Sequence, residues 1–146
     1  MTVLEPLSVR PLEILLVEDD DGDAKAVQRG FRKASMVNVR RAVDGIQALD
    51  MLKGLRGQGP PLSSSVMIVD LNMPRMNGIQ LVRAMREDEN LKHAIVFILT
   101  TSKSDDDKRA VYDLNVAGYI DKATAGLDFL NLVNLMYSYW RIVELP

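Results

Sequence analysis

Five short apolar runs alternating with amphipathic segments predict an α/β fold built on a parallel sheet. Two details of the runs support that class. Ile14-Leu15-Leu16-Val17, Val66-Met67-Ile68-Val69 and Ile95-Val96-Phe97-Ile98-Leu99 are continuously apolar, the pattern of strands covered on both faces. The runs also end on polar residues: Glu18-Asp19, Asp70 and Thr100, with Lys122 after Gly118-Tyr119-Ile120. Parallel strands lying side by side share one carboxyl edge, and open α/β sheets bind ligands there. Glu18, Asp19, Asp70, Thr100 and Lys122 are therefore expected to meet.

The elements follow in order. Residues 1–11 lack periodicity, contain two prolines and read as an arm. Leu12–Val17 is the first strand. Asp20, Asp21 and Asp23 suit the N-terminus of the next helix, where carboxylates cap and complement the dipole. Ala24, Val27 and Phe31 recur there at helical spacing. Val37–Ala42 is the second strand, followed by a helix from about Asp44 with Ile46, Leu49 and Leu52 as its stripe. Residues 54–65 hold three glycines, two prolines and three consecutive serines, an exposed loop. Val66–Val69 is the third strand. A turn over residues 72–78 leads to a helix from Ile79 to Arg86. Ile95–Leu99 is the fourth strand, and Ser104 or Asp105 caps the helix carrying Ala110, Val111 and Leu114. Val116–Ile120 is the fifth strand, and the last helix runs from about Gly126 to Trp140.

The bulk composition excludes several classes. A chain of 146 residues fits one domain with a real core. A net charge of -2 gives no electrostatic case for nucleic acid or an anionic membrane. No window is apolar enough for a membrane-spanning helix, and the N-terminus lacks the pattern of a secretion signal. There is no cysteine and a single histidine, His93, so thiolate chemistry and a zinc centre are not expected. A cytoplasmic protein is the expectation.

Crowding Glu18, Asp19 and Asp70 is unfavourable unless a cation joins them. Oxygen donors alone favour Mg²⁺, with Mn²⁺ or Ca²⁺ possible. A carboxylate beside such an ion can be a nucleophile that forms an aspartyl phosphate. Lys122 would supply a cation for the transferring group, and Thr100 a hydroxyl. Taken singly, each residue has a plainer reading: Asp70 as a turn residue, Glu18-Asp19 as helix caps, Thr100 as a strand former, Lys122 as a solvated surface lysine. Their placement on separate strand ends is what favours a site. No glycine-rich phosphate loop is present.

Four blocks then carry a resemblance. Val17-Glu18-Asp19-Asp20, Val69-Asp70-Leu71-Asn72-Met73-Pro74-Arg75-Met76-Asn77-Gly78, Leu99-Thr100-Thr101-Ser102 and Gly118-Tyr119-Ile120-Asp121-Lys122 resemble the signature blocks of response-regulator receiver domains. The resemblance spans residues 12–140, leaving 1–11 as an arm and 141–146 as a tail. It implies a flavodoxin-like (βα)5 doubly wound sheet of strand order 2-1-3-4-5. It further implies a response regulator rather than an enzyme, and with only residues 141–146 after Trp140 a stand-alone one is expected. Asp70 would accept a phosphoryl group from a sensor histidine kinase or a phosphotransfer protein. Asp19, Asp70 and the Asn72 backbone carbonyl would bind Mg²⁺, with Glu18 holding a metal water. Thr100 and Lys122 would contact the phosphoryl group, and Tyr119 would be the switch aromatic.

The Leu-Thr-Thr-Ser-Lys-Ser block, the long loop before the third strand and the Tyr139–Pro146 ending look like the regulators paired with bacteriophytochrome kinases. One departure is Ala123, where receivers usually have a proline after a cis bond. A trans bond there would redirect the chain and loosen Lys122. Two other readings stand beside the favoured one: a receiver-fold interaction module with little phosphate signalling, and a Mg²⁺-dependent phosphohydrolase. The second is disfavoured because Asn72 sits where such enzymes carry an acid/base Asp.

The last helix suggests a homodimer. At about 100° per residue, Asn131, Asn134 and Ser138 share one narrow arc. Leu127, Phe129, Leu130, Leu132, Val133, Leu135, Met136, Tyr137, Tyr139 and Trp140 cover the rest, more than one sheet face requires. The alternative is that Ile142, Val143 and Leu145 fold back over the surplus.

Overall fold

The computed structural model describes residues 12–33, 37–59, 61–62 and 66–144. The arm at residues 1–11, the serines at 63–65 and residues 145–146 lie outside these. The element order is β1 (Leu12–Val17), α1 (Asp21–Arg32), β2 (Val37–Ala42), α2 (Gly45–Lys53), β3 (Val66–Val69), α3 (Gly78–Arg86), β4 (Ile95–Thr100), α4 (Asp105–Asp113), β5 (Gly118–Asp121) and α5 (Leu130–Ile142). Two 3-10 turns, Lys122–Thr124 and Leu127–Phe129, join β5 to α5. The strands are all parallel, in the order β2-β1-β3-β4-β5. The predicted fold class and strand order hold.

Side-chain alternation along the strands divides the apolar residues between two cores. Leu15, Val17, Met67, Val69, Val96 and Ile98 pack with α2, α3 and Val111 of α4. Ile14, Leu16, Val66, Ile68, Phe97 and Leu99 pack with Ala24, Val27 and Phe31 of α1 and with Leu132, Val133 and Met136 of α5. Because both faces are covered, the three inner strands need apolar residues at successive positions. β2 lies at the edge and is only half-covered, so Asn38 and Arg40 are tolerated there.

The helices begin on their predicted caps. Asp20 Oδ2 accepts from the Asp23 N–H at 2.7 Å, Asp44 Oδ1 from Gln47 at 2.8 Å and Ser104 Oγ from Asp107 at 3.1 Å. Asn77 and Gln80 form a reciprocal capping box that starts α3 at Gly78, one residue before the predicted Ile79.

Other boundaries depart from expectation, β4 by one residue at Thr100 and the last elements by more. β5 starts at Gly118, because Val116 and Ala117 are spent on closing α4 and entering the sheet: the Ala117 N–H donates to the Val96 carbonyl at 2.7 Å. The last helix is broken rather than continuous from Gly126. Asp128 and Phe129 both take left-handed backbone, φ 51° and 57°, so that α5 starts at Leu130. That bend drops Phe129 into the core and lays the Asp128 carbonyl against Gly30 of α1, where a Cβ would come within 2.5 Å of it. The helix also continues past Trp140 to Ile142.

The loop after β3 is held from two sides. The Gly78 N–H donates to the Leu71 carbonyl at 3.1 Å, and its Cα packs on the Asp70–Leu71 backbone. On the other side Arg75, itself at φ 65°, sends Nε to Asp44 Oδ2 at 2.7 Å. The Gly45 N–H reaches the Met76 carbonyl at 3.1 Å. The start of α2 thus clamps the loop that leaves Asp70.

Two outcomes follow from this clamp. Gly78→Ala forces a methyl into the Asp70 backbone and is expected to destabilise the fold by about 1–3 kcal/mol in urea unfolding. Asp44 is buried; desolvation opposes its charge, but the Gln47 N–H and Arg75 prevail and hold its carboxyl below the ordinary 3.8. A depressed carboxylate stabilises above its unfolded value and loses that contribution as pH falls through its folded one. Asp44→Asn keeps the cap but loses the ion pair. Its deficit against wild type, about 1 kcal/mol at neutral pH, should shrink only below about pH 4 in a pH series of unfolding midpoints.

Candidate functional site

β1 and β3 are neighbours, so the residues that follow them emerge side by side. The Glu18 N–H donates to the Ala42 carbonyl and the Asp70 N–H to the Val17 carbonyl, both at 3.0 Å, which carries the ladder one step beyond each strand. Their side chains are buried, while Asp19 stands at the rim. One carboxylate oxygen from each of Glu18, Asp19 and Asp70 lies within 4.8 Å of the others. Arg41 braces the turn above them, with Nε on the Glu18 carbonyl at 2.9 Å and a guanidinium nitrogen on Asp21 at 2.7 Å.

Lys122 enters this group from the end of β5. Its Nζ lies 2.6 Å from Glu18 Oε1, 2.7 Å from Asp23 Oδ2 and 3.4 Å from Asp70 Oδ2. Glu18 Oε2 accepts from the Asp20 N–H at 3.2 Å. Burial pushes the Glu18 carboxyl up to about 7, helped by the Asp70 charge and opposed by Lys122. For Lys122, burial alone would favour the neutral amine, but Asp23, Glu18 and Asp70 outweigh it and raise its pKa.

The donor set fits a small divalent cation. It is all oxygen, anionic and drawn together at short range, and the described residues of the cluster include no sulfur or imidazole donor. The turn after β3 folds back on Asp70, with the Asn72 N–H 3.5 Å from Asp70 Oδ1.

Thr100 and Tyr119 flank the group. Thr100 ends β4 fully buried, and its Oγ1 accepts from the Ser102 N–H at 3.2 Å. The Tyr119 hydroxyl donates to the Ser102 carbonyl at 2.8 Å, and Lys108 Nζ sits 5.6 Å from its ring centre. Both are therefore tied to one residue, Ser102, in the β4–α4 loop. The structure brings Glu18, Asp19, Asp70 and Lys122 together directly, and links Thr100 to Tyr119 through that loop.

Two features concern Lys122, one a departure from expectation and one not foreseen. No cis peptide bond occurs among the described residues, so Lys122–Ala123 is trans. The chain turns there into a 3-10 segment, with Asp121 Oδ1 accepting from the Ala123 N–H at 2.8 Å. The expected loosening of Lys122 does not occur; its side chain is 10% exposed with carboxylates around it. The second is Asp23, read from sequence only as helix N-terminal charge. Its backbone N–H satisfies the cap, which frees its carboxylate to reach Lys122. Nothing in local spacing signals a contact across so much of the chain.

Comparison with known proteins bears on the family and the fold. The response regulator receiver domain family matches residues 14–134. The chain is 34% identical over 89% of its length to a probable methanogenesis regulatory protein, FilR2, of Methanothrix harundinacea, covering 84% of that protein. It is 31% identical to the response regulator Rcp1 of Synechocystis, over 93% of this chain and 94% of Rcp1. The Mn²⁺-bound form of Rcp1 superposes with a TM-score of 0.78 at 30% identity, over 93% of this chain and 99% of that one. The phosphorylated cyanobacterial phytochrome response regulator RcpA gives a TM-score of 0.84 at 29% identity, with the same coverage. With the family's pattern across most of the chain and its strand order in the sheet, this protein belongs to the response regulator receiver-domain family.

Proposed function

We propose that the protein is a signalling receiver that accepts a phosphoryl group on Asp70, with Mg²⁺, from a sensor histidine kinase of the phytochrome type or a phosphotransfer protein. The observation that carries this reading is the meeting of Asp70 with Glu18, Asp19 and Lys122 at the carboxyl edge of the sheet. An Asp70 oxygen forms the new P–O bond as the P–N bond of a phosphohistidine breaks, and the departing imidazole is protonated from solvent. Asp19, Asp70 and the Asn72 carbonyl would hold Mg²⁺, and Glu18 a metal-bound water. The bound ion would supply positive charge against the carboxylates and the transferring group. Lys122 neutralises the phosphoryl oxygens, and the Thr100 hydroxyl turns toward them. Tyr119, joined to the same loop, follows Thr100 and alters the surface that partners meet.

The chain is a phosphoacceptor rather than a turnover enzyme, since Asn72 offers no acid/base carboxyl two residues after Asp70. A cytoplasmic phytochrome pathway is part of the proposal; the likeness to the phytochrome response regulator RcpA supports its phytochrome side, and FilR2 is named a probable methanogenesis regulatory protein. The interaction-module alternative rested on Ala123, and the retention of Lys122 in the site weakens it.

A homodimer through α5 is part of the proposal. Leu127 and Ile142 are 88% and 83% exposed, and Leu130, Leu135 and Tyr137 are exposed between them. Ile142 is itself uncovered, and Leu145 of the fold-back alternative lies outside the described residues. The surplus is narrower than the sequence suggested, because Phe129, Leu132, Val133 and Met136 are core residues and Trp140 packs partly against them. Charge at Met136 would damage the fold, so Leu135 and Ile142 are the positions that probe assembly.

Three measurements check the proposal. After acetyl phosphate and Mg²⁺, mass spectrometry should find one adduct of about 80 Da on Asp70, and none in Asp70→Asn. Mg²⁺ at a hundredfold over Kd should stabilise the fold by about 2.7 kcal/mol. Asp19→Ala should lose most of that rise in melting temperature. In sedimentation the wild type should dimerise at micromolar concentration, and Leu135→Glu with Ile142→Glu should give a folded monomer.

A further inference from the structure

Asp23 stands 37% exposed on the first turn of α1, and its carboxylate lies 2.7 Å from the Lys122 ammonium. An ammonium has three N–H donors and no acceptor. Here three carboxylates surround it: Glu18 at 2.6 Å, Asp23 at 2.7 Å and Asp70 at 3.4 Å. Two contacts are short and the third is long. The short pair comes from the end of β1 and the start of α1, elements joined by a turn that Arg41 and Asp20 brace. The long contact points at the residue that takes the phosphoryl group.

From this tripod we infer that Asp23 is a positioning residue. Its hydrogen bond, with the Glu18 ion pair alongside, holds the Lys122 ammonium so that a second donor is aimed at Asp70, where it meets the phosphoryl oxygens. The inference rests on the proposed phosphoacceptor reading. The Lys122 turn is held by its own contacts, Asp121 on the Ala123 N–H, the Thr124 hydroxyl on the Asp121 carbonyl and Asn131 on the Thr124 carbonyl, and none of these is made to the ammonium. Asp23 also joins α1 to the end of β5, while Gly30 and Arg29 of α1 meet Asp128 in the turn before α5.

A plain structural reading exists, in which Asp23 serves only as negative charge at a helix N-terminus. Asp23→Asn separates the two. It keeps the backbone N–H that Asp20 caps, and it removes only the charge that faces Lys122. Phosphorylation by acetyl phosphate should slow about tenfold, as expected when a charged group loses its alignment. In a Lys122→Met background the same substitution should cause no further slowing. A second readout needs neither metal nor phosphate. With Mg²⁺ withheld, acetylation of Lys122 by an N-hydroxysuccinimide ester, followed by peptide mass spectrometry, should be slow against Lys103 and Lys108 in wild type. It should approach their rates in Asp23→Asn. Unchanged Lys122 labelling, or equal slowing by Asp23→Asn with and without Lys122, overturns the inference. If the wild type itself takes no phosphoryl group at Asp70, the phosphoacceptor reading fails, while the amine labelling still decides whether Asp23 holds Lys122.

Discussion

The contact between Lys122 and Glu18 is the one on which the carboxyl edge of this sheet depends. Parallel pairing of β1 with β3 brings Glu18 and Asp70 together whatever their charge. Two buried carboxylates at close range disfavour each other, and burial alone favours the neutral acid at Glu18. A buried ammonium between them offsets that repulsion and would itself be strained toward deprotonation without them. Neither half of the pair is stable in this setting alone, so removing one partner leaves an uncompensated buried charge. The clamp of Asp44 on Arg75 and the approach of Gly78 to Asp70 have the same role for the backbone. They hold the acidic turn where the lysine can reach it.

The fold was legible because its signals are dense. Continuous apolar runs such as Ile14–Val17 admit few readings once helical stripes lie between them, and the caps at Asp20, Asp44 and Ser104 stand where local chemistry puts them. Glu18, Asp19, Asp70 and Lys122 were legible for a topological reason: each follows a strand, and parallel strands end together. What escaped prediction depends on long-range geometry. The bend at Asp128 and Phe129 uses left-handed backbone in residues that do not advertise it, and it is imposed by the close passage of α1 at Gly30. The Asp23 carboxylate looked like one more acidic residue at a helix start. The apolar excess of α5 was real, but the sequence could not apportion it, since Met136 and Leu135 differ only in which side of the helix meets the sheet.

The division of the core by the sheet also separates the consequences of change. Substitutions at Met85 or Val111 act on the face shared by α2, α3 and α4, whereas those at Phe31 or Met136 act on the face shared by α1 and α5. Phe97 belongs to the second face, where its ring meets Tyr139 edge-on with centres 5.3 Å apart. Effects across the two faces should be close to additive, because the side chains involved share no contact.

The place of β1 in the sheet has a consequence for how the chain is made. β1 is flanked by β2 on one side and β3 on the other, so the first strand to emerge is also one of the most completely enclosed. On a ribosome, Leu12–Val17 must wait for Val66–Val69, roughly fifty residues later, which at about 5–20 residues per second is a delay of seconds. Throughout that interval an apolar strand has one edge without its partner, the situation that invites pairing with other chains. The acidic stretch from Glu18 to Asp23, which later builds the site, follows that strand directly and keeps like charge beside it until β3 arrives.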